Sequence, residues 1–162
     1  MAPPGGAALT SPAFTWHPVA EADFEPMLAL RTAAMRESLE RVGRYTPERS
    51  RERLRAAFTP EHMRHLVAPD GRRMGFVTVL SEGDRTLRLQ HLYLHPDWQG
   101  AGVGAAVLAQ VQDRARREGA VLRVTALQRS DANRFYQRHG FVQTGEEDVD
   151  VHYEWRPEGR AE

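Results

Sequence analysis

Three glycines spaced two apart, in Gln99-Gly100-Ala101-Gly102-Val103-Gly104, carry the clearest chemistry in this chain. An apolar run from Leu87 to Leu94 precedes them, and an apolar-periodic segment containing Val103, Val107, Val111 and Ala115 follows. Glycines where a strand hands over to a helix remove the side chains that would cover the backbone N–H groups. The positive end of the helix dipole lies behind those groups, so together they form a receptor for a phosphate or pyrophosphate. A phosphorylated cofactor is expected. Gly100 to Ala105 formally satisfies the dinucleotide fingerprint G-x-G-x-x-[G/A], but its context fails. Those glycines belong on the turn directly after the first strand, with an acid about 20 residues on. Here His95 to Gln99 intervene, and the next strand carries Arg123, with no acid after it until Asp131. A Walker-type loop is excluded because the chain has no lysine.

The elements that must position this loop can be read from periodicity and punctuation. Phe14 to His17 reads as a short strand. A helix follows, with Asp23 placed to cap it, Pro26 in its first turn, and an apolar stripe of Phe24, Met27, Leu28, Met35, Leu39 and Val42 ending at Gly43. Arg31 interrupts that stripe. Thr46-Pro47 starts a second helix that runs to about Phe58. Met63 to Ala68, Met74 to Leu80 and Leu87 to Leu94 read as three consecutive strands separated by turn signals. The helix after the glycines ends at Gly119. Val121 to Leu127 is a near-continuous apolar run, the pattern of a strand covered on both faces. Ser130-Asp131 caps a short helix through Tyr136, closed by Gly140, and Phe141 to Thr144 and Val149 to Trp155 finish as strands. The order is strand, two helices, three antiparallel strands, helix, strand, helix, two strands: a mixed α/β domain with the glycine loop before its crossover helix.

Composition narrows the function. At 162 residues one domain with a real core is expected. A formal net charge of zero argues against a nucleic-acid partner, which calls for a basic excess. With no cysteine, disulfides, thiolate metal sites and a cysteine nucleophile are excluded. No apolar run approaches the roughly 20 residues that span a bilayer, so no membrane association is expected. Residues 1–12 lack the basic and apolar regions of a secretory signal and read as a disordered lead, and residues 157–162 read as a loose tail. A cytoplasmic location is the default expectation.

Two motifs resemble those of the GNAT superfamily of acyl-CoA-dependent N-acyltransferases. Gln99 to Gly104, after a strand ending Leu92-Tyr93-Leu94-His95-Pro96, is similar to its [R/Q]-x-x-G-x-[G/A] loop. Ala132-Asn133-Arg134-Phe135-Tyr136-Gln137-Arg138-His139-Gly140-Phe141 is similar to its A-x-x-F-Y-x-x-x-G-F segment. Element order agrees over roughly Phe14 to Trp155. The resemblance implies a single acetyltransferase domain over residues 13–156. Its expected sheet has roughly six to seven strands, with antiparallel N-terminal strands and a splayed central parallel pair, flanked by about four helices.

It also implies roles. Amides of Gln99, Gly100, Ala101, Gly102, Val103 and Gly104 would hold the pyrophosphate of acetyl-CoA. Backbone groups of Leu92 and Leu94 would pair with the pantetheine arm and the acetyl carbonyl. Tyr136 would give a proton or hydrogen bond to the departing thiolate, whose conjugate acid has a pKa of about 8.5. The family's Asn before that tyrosine is replaced by Arg129 and Ser130, leaving Ser130 or Asn133 to contact the arm. For the base, the inward positions before the loop are Arg88 and Gln90. Alternation puts His91 and His95 on the opposite face unless a bulge re-aims one. His152 and a water chain are further choices. Arg31, with Gln90 and His91, is a candidate for acceptor recognition, its guanidinium suited to a carboxylate; the other reading of Arg31 is a stem packed at the core rim. Arg44-Tyr45 has the same status. The implied reaction is direct acetyl transfer to a small-molecule or peptide amine, without a metal. The competing reading is a non-catalytic acyl-CoA-binding module. The two C-terminal strands offer a surface for exchange or pairing in a homodimer.

Overall fold

The computed structural model describes residues 12–157. The lead expected over residues 1–12 lies outside them except for Pro12, and the tail expected over 157–162 except for residue 157.

The chain opens with β1 (Thr15–Pro18), and a turn of 3-10 helix (Glu21–Asp23) leads into α1 (Phe24–Arg41). α2 (Pro47–Ala56) starts as its sequence demands: Thr46 is extended, and its hydroxyl accepts from the Arg49 N–H at 3.1 Å. β2 (Met63–Val67), β3 (Arg73–Ser81) and β4 (Thr86–Leu94) form an antiparallel meander. α3 (Val103–Glu118) crosses over to β5 (Val121–Leu127). α4 (Asp131–Arg138) and the hairpin of β6 (Val142–Glu147) and β7 (Asp150–Trp155) complete the fold.

The seven strands form one mixed sheet in the order β1-β2-β3-β4-β5-β7-β6. Its parallel pair is β4 and β5, and their ladder covers only Thr86–Arg88 against Val121–Arg123. Toward Leu94 the two strands part. On one face, Phe24, Met27 and Leu54 of α1 and α2 pack on Met63 and Phe76. On the other, Val107, Leu108 and Val111 of α3 pack with Leu87, Leu89, Leu122 and Val124, joined by Tyr136 from α4. Burying each large apolar side chain contributes roughly 1.5–3 kcal/mol.

Three expectations are corrected. Asp23 does not cap α1: its backbone is already αR, and its carboxylate accepts instead from the Ala20 N–H (2.8 Å), His65 (2.9 Å) and Arg73 (3.2 Å). It thereby ties the helix start to β2 and β3. Ser130 does not cap α4 with its side chain, because the hydroxyl is spent donating to the Leu127 carbonyl at 2.8 Å. β5 is covered on one face only: Leu122, Val124 and Ala126 are buried, whereas Arg123 and Thr125 lie on an open face with Glu154 and His152 of β7. α1 and α2 cover the N-terminal half of the sheet and leave that face bare.

The stripe of α1 also divides. Phe24, Met27 and Arg31 are buried, but Met35, Leu39 and Val42 are only half-buried. Met35 and Leu39 overhang a cleft rather than the core.

Candidate active site

The cleft is organised by one irregularity in β4. Thr78 pairs with His91 and Val79 with Leu89, which leaves Gln90 as an extra residue in the strand. Strict alternation would put Leu87, Leu89 and His91 on one face. The bulge turns His91 to the other, beside Thr78 and in a row with Phe76 and Tyr93. That is the face covered by α1 and α2. Gln90 and His91 therefore both line the cleft, with Arg88 beside them.

His91 is 7% exposed, and its Nδ1 lies 2.9 Å from the Thr78 hydroxyl. Burial, and behind it the charge of Arg31, hold its pKa down to about 4. It is a neutral imidazole near pH 7.

The end of β4 presents backbone to the cleft. His95 N–H donates to the Met74 carbonyl at 2.8 Å, so that pair is hydrogen-bonded across to β3. Counting back through the register, Leu94 and Leu92 occupy non-hydrogen-bonded positions, and their N–H and C=O groups turn away from β3. They face the gap that β5 has left. There the Gln99 side chain donates to the Leu94 carbonyl at 2.8 Å.

The glycine loop closes one end. Gly100 (φ 81) and Gly102 (φ 85) hold left-handed conformations, and Gly102 is the residue before α3. The first bond of α3 runs from Ala106 N–H to the Gly102 carbonyl at 3.1 Å. The amides of Val103, Gly104 and Ala105 thus have no partner within the helix. Gly104 is helical, and a Cβ there would make only ordinary contacts of 3.7 Å with Leu94 and Phe135.

Tyr136 is buried among the rings of Phe135, Phe141 and Tyr153, yet it lines the cleft. Among the described residues its hydroxyl makes no side-chain hydrogen bond. Burial, reinforced by Tyr93, raises its pKa well above the ordinary phenol value.

Arg31 also reaches the cleft. It is 8% exposed and donates to the Ser50 hydroxyl at 2.6 Å, with its guanidinium 5.8 Å from the centroid of the Tyr93 ring. The whole cleft has a volume of about 1350 Å³ and runs from Gly100 past Leu92 and Tyr136 to Arg31 and α2.

Other residues singled out from the sequence sit differently. The Asn133 amide is engaged inside the protein at both ends: it donates to Leu127 (2.7 Å) and Ser130 (3.0 Å) carbonyls and accepts from the Tyr153 hydroxyl (2.8 Å). Ser130 lines the cleft. His95 caps the Pro96–Trp98 turn, and His152 lies on the open sheet face against Thr125. Arg88 pairs with Glu82 and Arg44 with Asp148, both at distances under 3 Å. Thr78 and Ser50, the partners of His91 and Arg31, had no sequence signal, because each is identified only by where the bulge and the helix packing place it. Tyr93, an aromatic at the strand end, did have one. Among the described residues no group of three or more His, Cys, Asp or Glu is placed to hold a metal, and no helix is long and apolar enough to cross a membrane.

Comparison with known proteins fits this geometry. The family model described as Acetyltransferase (GNAT) domain matches residues 33–157. An uncharacterized N-acetyltransferase from Mycobacterium bovis is 32% identical over 93 residues, covering 56% of this chain and 55% of the relative. One from Mycobacterium tuberculosis matches to the same extent, so the match spans about half the length of these curated relatives. Among solved structures, the PaiA N-acetyltransferase of Thermoplasma acidophilum, in complex with coenzyme A, superimposes with a TM-score of 0.72 at 17% identity, covering 89% of this chain and 99% of that one. An acetyltransferase from Thermus thermophilus does so with 0.69 at 17% identity, covering 89% and 97%. The bulged, splayed sheet, the glycine loop and the family match agree: this chain belongs to the GNAT acetyltransferase family, a family of acyltransferases.

Proposed function

We propose that this protein transfers the acetyl group of acetyl-CoA directly to a primary amine. The observation that carries the reading is the single cleft joining the glycine-loop amides, the outward backbone of Leu92 and Leu94, and the Tyr136 hydroxyl. Its residues fit the cofactor: unpaired helix-start amides suit a pyrophosphate, and an open strand edge suits the amide-bearing arm. Bound there, acetyl-CoA supplies the thioester whose carbonyl carbon the amine attacks.

The nitrogen forms a bond to that carbon, the C–S bond breaks, and the sulfur leaves with the electron pair. Tyr136 serves this departure as a hydrogen-bond donor. Its pKa lies above its ordinary value, whereas the leaving thiol titrates near 8.5, so outright proton transfer runs uphill. The amine's proton meets a similar limit. An ammonium with pKa near 10 is about 4 kcal/mol from neutral at pH 7, and an imidazole titrating near 4 is a weak base toward it. The bulk of that proton goes to water in the open cleft. In the tautomer whose Nδ1–H donates to Thr78, His91 offers its Nε2 lone pair to the amine once the C–N bond has begun to form.

Thiol release is the test. Amine-dependent release from acetyl-CoA supports transfer, and Tyr136→Phe is expected to lower kcat about 10- to 100-fold with little change in acetyl-CoA affinity. Acetyl-CoA binding with no turnover of any amine would favour the non-catalytic module.

A further inference from the structure

Arg31 is a buried cation without a counter-charge among the described residues. Among the described residues its polar contacts are the Ser50 hydroxyl and the Tyr93 ring, and no carboxylate comes within ion-pair distance. Arg44 and Arg88, which also line the cleft, do have such partners in Asp148 and Glu82. A guanidinium taken from water and left with one neutral hydroxyl is costly unless its other donors find an acceptor. Among the described residues the fully enclosed side-chain atoms that lack a partner are Trp16 Nε1 and Thr59 Oγ1. The Nε and second Nη of Arg31 make no hydrogen bond among the described residues, and Arg31 lines the cleft.

Resting on the acetyltransferase reading, we infer that the amine acceptor carries a carboxylate, and that the fork of Arg31 receives it. The acceptor class is then amino acids and similar small amino-carboxylates rather than diamines. A planar fork with two free N–H groups matches a carboxylate bidentately. The span is short: Arg31 lies 5.8 Å from the Tyr93 ring centroid, and that ring is 5.4 Å from the His91 ring. One small molecule can present its carboxylate to Arg31 and its nitrogen near His91. Arg49 and Arg53, one turn apart on α2, line the same end and have no ion-pair partner among the described residues. They raise the local positive potential against a purely cationic acceptor. Neutralising Arg31 also removes one of the two influences that hold His91 below its ordinary pKa, so a carboxylate-bearing acceptor strengthens the base beside it.

The test uses the full chain with acetyl-CoA and reads thiol release for the twenty L-amino acids, their α-amides, and putrescine. At least one amino acid is expected to exceed its own amide by about 100-fold in kcat/KM, because an unfilled charged fork rejects the analogue that lacks its partner. Arg31→Met collapses that ratio toward one, chiefly through KM for the acid, and Arg31→Lys restores part of it. If Arg31→Met does not fold, the wild-type ratio decides alone. Amides or putrescine used as well as the acids overturns the inference, as does tight acetyl-CoA binding with no amino acid turned over. Absence of acetyl-CoA binding is a different failure: it removes the acetyltransferase reading itself.

Discussion

At the scale of single residues, the cleft is defined by what burial does to three side chains. Tyr136 stays protonated and therefore remains a donor. Arg31 is enclosed with the Ser50 hydroxyl and the Tyr93 ring as its polar contacts among the described residues. His91 stays neutral, and this has a consequence for stability. Above pH 6.5 the imidazole is neutral in folded and unfolded chains alike. As pH falls below that, the unfolded chain takes up a proton that His91 refuses until about pH 4. Folded stability therefore drops through the window from 6.5 to 4, by about 3 kcal/mol. Burial lowers the pKa of His65 as well and acts in the same direction. Urea midpoints measured at pH 7 and pH 4.5 should show the loss, and His91→Asn should reduce it. Asp23 acts at a lower pH: held down to about 2 by the Ala20 amide and His65, it stabilises above the ordinary carboxylate value, and that contribution is lost below pH 4.

At the scale of elements, the glycine loop and the helices were legible because their signals are local. Thr46-Pro47 predicts the start of α2, and Gly119 ends α3 in the left-handed conformation that its type suggests. The bulge at Gln90 was not legible. It exists because β4 pairs with β3 in a register set by long-range packing, and no residue type marks the extra position. His91 consequently reads from alternation alone as pointing away from the cleft. Asp23 was misread for a related reason: its partners, His65 and Arg73, are 42 and 50 residues away. The bulge follows directly on the last residues of the β4–β5 ladder, Arg88 and Arg123, beyond which the gap beside Leu92 and Leu94 begins. Deleting Gln90 leaves Leu89 and His91 paired regularly with Val79 and Thr78. The sheet is expected to fold, the β4–β5 ladder to lengthen, and acetyl-CoA affinity to fall at least about tenfold, as one pKa unit of binding energy would; calorimetry alongside circular dichroism checks both halves.

For the whole molecule, a net charge of zero conceals an uneven distribution. Eight arginines but only Glu37, Asp131 and Asp150 among the carboxylates line the cleft. Composition alone could not show this local excess, which depends on folding. An anionic cofactor in such a cleft is held partly by screened charge, so raising NaCl from about 0.05 to 0.5 M should weaken acetyl-CoA binding about tenfold. A dissociation constant insensitive to salt would indicate that the loop amides act without the arginines.

The most direct test of the central claim is calorimetry of acetyl-CoA binding to wild type, Gly104→Ala and Gly104→Asp. Gly104 is the useful position because it is helical, so substitution there avoids the left-handed strain that any residue at Gly102 would carry. The account predicts micromolar binding to wild type, near-equal binding to the alanine variant, and loss of binding when a carboxylate stands at the start of α3. Binding unaffected by Gly104→Asp, or no binding to the wild-type protein, would contradict it.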